Sequence, residues 1–262
     1  MAQLLVENVS VSFPLYHGES RSLKKTVFAA ASGRMGQDSR KRLTVEALRD
    51  VSFSLHTGDR LGFIGSNGAG KTTLLRAMAG IYEPVGGRIV IEGLVTALLD
   101  PGQGMNMELT GYENIRLRAL FNGYSEQQTR VLQEDVAQFA ELGNFLSLPV
   151  RTYSSGMIVR LGFALATAIH PQILLMDEWI LAGDAAFLGK ARQRLETMVG
   201  SAEILVLSSH NAAILMQWCN RIIWMEGGRV HADGPPEEIL SAYLPPEQFE
   251  QAKTAASALT AV

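Results

Sequence analysis

The sequence predicts an α/β protein: a mixed β/α core with an all-helical segment inserted into it. Three observations predict this. A glycine-rich turn, Gly65-Ser66-Asn67-Gly68-Ala69-Gly70, stands between a short apolar run at 60–64 and a helical pattern at 72–79. A second apolar run, Ile173-Leu174-Leu175-Met176, ends in two carboxylates, Asp177 and Glu178. Between them, residues 110–170 change character and space their apolar residues as helices do. Apolar runs alternating with helical patterns are the mark of βα units with buried parallel strands.

Taken in order, residues 4–9 and 48–55 read as strands that frame a basic insertion at 17–46. The insertion carries Arg21, Lys24, Lys25, Arg34, Arg40, Lys41 and Arg42 against Glu19, Asp38 and Glu46. Its weak periodicity reads as a solvated loop; a contact surface for a partner or for acidic headgroups is the alternative. Residues 60–64 form a buried strand and 72–79 a helix, followed by two short strands at 88–92 and 94–98. Helices follow at 112–121, 126–142 and 156–169. Then come a strand at 173–177, a helix at 187–198, a strand at 204–208, a helix at 211–219 and a strand at 221–225. Glu226-Gly227-Gly228 turns the chain into a strand at 230–233, and 236–243 forms a last short helix. The domain so defined runs over 1–244. Residues 245–262, rich in Ala and Thr, show no pattern and read as a mobile tail.

Of the 262 residues 47% are apolar and 19% charged, which suits a globular protein with a full core. A net charge of −3 argues against nucleic-acid binding by bulk positive charge. Cys219 has no second cysteine to pair with, fits a reducing compartment and reads as a small core residue. No apolar run reaches the about 18 residues of a membrane span. The N-terminus lacks the basic and apolar regions of a signal peptide. Work at a membrane would need another chain to hold this one there.

The segment from Gly65 to Thr73 matches the phosphate-binding loop: four residues between two glycines, then Lys71-Thr72. Small residues let successive backbone N–H groups point into one concavity, and the helix N-terminus adds partial positive charge. Lys71 is placed to reach the β- and γ-phosphates of a nucleoside triphosphate, and the Thr72 hydroxyl to ligate Mg²⁺. Asp177, at a strand end, suits Mg²⁺ held through water. Glu178 suits a base that orients and deprotonates the water attacking the γ-phosphate. A salt-bridged surface glutamate is the plainer reading of it. The apolar run at 203–209 delivers His210 to the same sheet edge, where it can hydrogen-bond the γ-phosphate and report its presence. A structural histidine is the alternative.

With these residues in place, the chain resembles the nucleotide-binding subunit of an ATP-binding cassette (ABC) transporter over nearly its whole length. The family's signature Leu-Ser-Gly-Gly-Gln appears as Tyr153-Ser154-Ser155-Gly156-Met157. The resemblance implies a P-loop ABC cassette that hydrolyses ATP with Mg²⁺. It also implies a homodimer in which Ser154, Ser155 and Gly156 of one subunit close over ATP held by the other, giving two composite sites. Three stretches are similar to exporters of polysaccharides and polyol phosphates: Tyr153–Leu161, Leu109–Ile115 and Asp177–Asp184, the last with an altered D-loop, Leu181-Ala182-Gly183-Asp184. That likeness implies integral membrane permease partners and a peripheral place on the cytoplasmic face of the membrane. The glycan would be handled mainly by the membrane subunits, because no added C-terminal glycan-binding domain follows the cassette. Gln103, preferred over Asp100, takes the place of the glutamine that links Mg²⁺ to the membrane subunit. Phe13 best fits the aromatic that stacks on adenine, with Tyr16 second and a core phenylalanine as the alternative. A soluble ATPase switch acting on ribosomes or DNA, an importer and a small-molecule kinase are the competing functions.

Overall fold

A computed structural model describes residues 1–14, 35–37, 43–99, 104–177 and 185–260. Most of the basic insertion therefore lies outside the described residues. In chain order the strands are β1 (Gln3–Pro14), β2 (Met35–Gln37), β3 (Leu43–His56), β4 (Arg60–Ile64), β5 (Gly86–Glu92), β6 (Val95–Leu98), β7 (Ile173–Asp177), β8 (Ile204–Ser208), β9 (Arg221–Glu226) and β10 (Arg229–Gly234). The helices are α1 (Lys71–Met78), α2 (Gly111–Phe121), α3 (Glu126–Ala140), α4 (Ser155–Thr167), α5 (Ala185–Ser201), α6 (Ala212–Trp218), α7 (Pro236–Tyr243) and α8 (Pro246–Thr260). They divide between two compact units. One takes the described residues of 1–95, 175–177 and 203–260, and the other those of 96–174 and 185–202.

The first unit holds two sheets. An antiparallel sheet has the order β2-β3-β1-β5. Leu4 and Val6, then Val9 and Val11, are buried on β1, so the two-residue alternation breaks between Val6 and Val9. The break is a bulge shared by both strands: Asn8 and Asp50 have φ of 49° and 50°. Asn and Asp tolerate this left-handed backbone better than other side-chain-bearing residues. Side chains hold it, since Asn8 N–H donates to Ser52 Oγ at 2.8 Å and Asp50 N–H to Ser10 Oγ at 3.1 Å.

The second sheet of this unit runs β10-β9-β4-β8-β7. β4 is parallel to both β8 and β9, with Phe63 opposite Ser208 and Ile223. A central parallel strand is covered on both faces, which is why Leu61, Phe63, Ile64 and all of Ile204–Leu207 are apolar and buried. At Gly62 the covering is closest. A Cβ there would stand 2.9 Å from Leu215 Cδ2 and 3.2 Å from Cys219 Sγ. Burial pushes the Cys219 thiol pKa up to about 12. Residues 246–260, expected to lack regular structure, form α8 instead, which packs on α6. Phe249, Ala252 and Ala256 are its half-buried stripe, and Lys253 pairs with Glu237 of α7 at 3.4 Å.

The second unit is largely helical and reaches beyond 110–170, taking in most of β6 and all of α5. Its helices start on strong signals. Thr110 and Ser125 each cap a helix and form a reciprocal box with Glu113 and Gln128. Phe139, Phe163 and Phe187 from α3, α4 and α5 form a triad with centroids 5.6, 5.7 and 5.8 Å apart. Arg194 lies 4.4 Å over Phe139 and forks onto the Asp135 carboxylate, joining α5 to α3.

The approach at Gly62 gives a first prediction. Gly62→Val should lower stability by about 1–3 kcal/mol through overpacking against α6. Urea unfolding of both proteins measures this, and an unchanged midpoint would refute the close fit.

Candidate nucleotide site

The phosphate loop leaves β4 and enters α1. Gly65 and Gly70 have φ of 140° and 110°. A Cβ on Gly65 would lie 2.2 Å from the Met225 carbonyl oxygen, and one on Gly70 would lie 2.9 Å from the Ala47 carbonyl oxygen. Both backbone conformation and space therefore demand glycine. A chain of backbone bonds ties the loop to its surroundings. Ala69 N–H donates to Ser66 O at 3.0 Å, Gly228 N–H to Ala69 O at 3.0 Å and Arg49 N–H to Gly228 O at 2.9 Å. The Gly227-Gly228 turn thus braces the back of the loop, a role that reading it as a hairpin turn alone did not reveal.

The front of the loop is open. Ser66, Asn67 and Gly68 are exposed, while Ala69, Gly70 and Lys71 are buried and Thr72 and Thr73 half-buried. Lys71 is only 7% exposed, and its Nζ donates to Gly65 O at 2.7 Å and Ser66 O at 3.3 Å. No side chain caps α1 and no acidic residue stands in its first turn. An uncapped helix start of this kind suits an anion, because the helix dipole and the Lys71 ammonium favour negative charge at the same point.

The neighbouring strands bring further predicted residues to the same unit. Asp177 ends β7, half-buried, beside β8 in the sheet order. His210 follows β8 and is exposed. The chain beside it is fixed by three local bonds: Asn211 N–H donates to Ser209 Oγ at 3.0 Å, and Asn211 Oδ1 caps α6 by accepting from Ala213 N–H at 3.0 Å and Ile214 N–H at 3.3 Å. Ser208, 1% exposed, has a buried Oγ with no hydrogen-bond partner among the described residues. Phe13, near the end of β1, is 36% exposed and packs edge-on against Tyr82.

In the second unit, Ser154 is the N-cap of α4, accepting from Met157 N–H at 3.3 Å. Ser154, Ser155 and Gly156 are all exposed, and the first turn of α4 has no acidic residue. Tyr153 anchors this start from below. Its ring is buried and its hydroxyl donates to Phe145 O at 2.6 Å; burial also raises the hydroxyl's pKa above the ordinary tyrosine value. Tyr16, Asp100, Gln103, Glu178 and the stretch Leu181–Asp184 lie outside the described residues.

Residues 48–181 match the ABC transporter family. The chain belongs to that family. This ABC chain is 44% identical over 234 residues to the O-antigen export system ATP-binding protein RfbE of Yersinia enterocolitica, covering 89% of this chain and 98% of the relative. It is 36% identical over 241 residues to the teichoic acids export ATP-binding protein TagH of Listeria innocua serovar 6a, covering 92% and 69% of the two. The fold is also that of the ATP-binding cassette MJ0796, solved as a dimer in a post-hydrolysis state with ADP and Pi. The TM-score is 0.64 at 19% identity, over 89% of this chain and 98% of that one. As an ABC ATPase, this chain binds nucleotide.

The brace behind the loop can be tested directly. A Cβ at Gly228, where φ is 81°, would lie 2.6 Å from the Ala47 carbonyl oxygen. Gly228→Ala should therefore cost more than the about 1–2 kcal/mol of a left-handed residue alone, and should weaken ATP binding. Gly80→Ala, left-handed with open space around it, should cost only that smaller amount. Thermal unfolding and ATP titration of both variants make the comparison; equal losses would remove the brace.

Proposed function

We propose that the chain is the ATP-hydrolysing subunit of an exporter of polysaccharide or a related glycan. It works as a homodimer on the cytoplasmic face of the cell membrane, beneath separate membrane-spanning permease subunits. The substrate class is supported by the Yersinia relative, whose name assigns it to O-antigen export and which aligns over nearly its full length. Among the described residues no helix is long and apolar enough to cross a membrane.

The observation that carries the chemistry is the uncapped N-terminus of α1 with buried Lys71 beside it. In the proposed dimer, the exposed start of α4 on one protomer covers the γ-phosphate held by its partner. Lys71, Ser154, Ser155 and Gly156 then share the charge that develops on the transferred group. His210 bonds the γ-phosphate and signals its presence, Phe13 stacks on adenine, and Glu178 takes the proton of the attacking water.

The half-buried Thr72 hydroxyl and Asp177 carboxylate are oxygen donors of the kind Mg²⁺ prefers when phosphates and water complete its shell, with Gln103 as a further ligand. When bound, Mg²⁺ neutralises charge on the β- and γ-phosphate oxygens.

Glu178→Gln should keep ATP binding, favour the closed dimer and lower turnover by about 10²–10⁴-fold, the usual range for a general base. Normal hydrolysis by this variant would remove Glu178 from the role. The export reading is tested by purifying the tagged chain from gently solubilised membranes. A multi-helix permease without a solute-binding protein is expected. Recovery with an import system's binding protein would overturn export, and recovery with ribosomes alone would overturn transport.

A further inference from the structure

The end of β1 is tied to the phosphate-loop helix through one side chain that no motif picks out. The rings of Phe13 and Tyr82 meet edge-on, with centroids 5.1 Å apart and planes at 75°. Tyr82 is in turn fixed by Arg76 of α1. Arg76 Nη1 donates to Tyr82 Oη at 3.1 Å, and the guanidinium carbon stands 5.9 Å from the ring centroid. The Arg76 carbonyl also accepts from the Tyr82 N–H at 3.3 Å. Arg76 follows Lys71 by five residues of one short helix, a rise of about 7.5 Å. A single rigid element therefore carries the phosphate-binding lysine at one end and the anchor of Tyr82 at the other.

We propose that Tyr82 is a positioning residue for the nucleotide base. It holds the Phe13 ring in one orientation and locks that ring to the helix that bears Lys71 and Thr72. The proposal rests on the reading of Phe13 as the adenine platform. A phenylalanine that is 36% exposed at a strand end would otherwise turn about two side-chain bonds. An edge-to-face partner narrows that freedom before the base arrives, so less order has to be gained on binding. The Arg76 bonds do the same for Tyr82, which otherwise sits in the loop after α1. Base contact and phosphate contact are then presented at a fixed separation, and a ligand that offers both is favoured over one that offers phosphates alone.

Calorimetric titration of the full chain with ATP and with tripolyphosphate separates the two contacts. Phe13→Leu and Tyr82→Leu should each weaken ATP binding, the latter about threefold to tenfold, with tripolyphosphate binding as in the native protein. Tyr82→Phe keeps the ring and loses the Arg76 hydroxyl bond, so it should show a smaller loss, again for ATP alone. If Tyr82→Leu does not fold, Tyr82→Phe still carries the test. Native ATP affinity in the folded Tyr82 variants, beside a weakened Phe13→Leu, overturns the positioning role and leaves the base platform standing. Equal losses for ATP and tripolyphosphate make Tyr82 a support of α1 only and likewise overturn it. Native ATP affinity in Phe13→Leu removes the platform, and the proposal with it.

Discussion

Behind the phosphate loop, backbone meets backbone. The Met225 carbonyl faces Gly65, the Ala47 carbonyl faces Gly70, and the Gly228 turn is bonded to Ala69 on one side and Arg49 on the other. Close packing of this kind leaves no room for a side-chain carbon and little for displacement. Three separate parts of the chain have to arrive together for it to exist: the middle of β3, the β9–β10 hairpin and the start of α1. The parallel pairing of β4 with β9 brings the hairpin, and the antiparallel sheet brings β3. Much of the first unit can thus be understood as the frame that holds a stretch of glycine-rich backbone in place with the Lys71 ammonium bonded to Gly65 O and Ser66 O.

The second unit uses different means. There, side chains hold the helices: the Phe139, Phe163 and Phe187 rings, with Arg194 bonded to Asp135 and lying over Phe139. Glu141, at a left-handed φ of 54°, reaches Lys190 of α5 at 2.5 Å and Arg160 of α4 at 3.8 Å. These contacts are partly exposed, so each ion pair contributes little alone, but together they join α3, α4 and α5. They hold α4, whose first turn carries Ser154 and Gly156, against α3 and α5. Tyr153, just ahead of α4, buries its ring while its hydroxyl finds the Phe145 carbonyl. A leucine could fill the space but could not make that bond.

Local patterns were legible and cooperative ones were not. The loop from Gly65 to Thr73 could be read because its geometry is decided within ten residues by glycines, a lysine and a following helix. The strand ends at Asp177 and Ser208 could be read because a buried parallel strand is an unbroken apolar run. Beyond the bulge at Asn8 the alternation by which strands are recognised shifts phase, and β1 runs on to Pro14 rather than ending at 9; β3 begins at Leu43, not 48, on a stretch that borders the basic insertion. α8 was missed because Phe249, Ala252 and Ala256 make a thin stripe with mostly small side chains, which only the surface of α6 makes worth burying. Tyr82 and Gly228 carry no motif of their own. Each meets a residue distant in sequence, Phe13 for the one and Ala47 for the other.

The charge at the two helix starts would give the proposed dimer a reason to need its nucleotide in order to close. Neither α1 nor α4 has an acidic residue in its first turn, and α1 has Lys71 there as well. A helix N-terminus carries about half a positive charge. In the proposed dimer two such ends face each other across the γ-phosphate position. Without the triphosphate, like partial charges oppose each other and closure is disfavoured. With it, the same groups all point at a concentrated negative charge, and removing water between them strengthens the attraction further. In that dimer, loss of the γ-phosphate after hydrolysis would take away most of the charge that both ends share and turn the attraction back toward repulsion. An acidic residue in either first turn would stabilise that helix on its own and would weaken this dependence, which gives a physical reason for both helices to go without one.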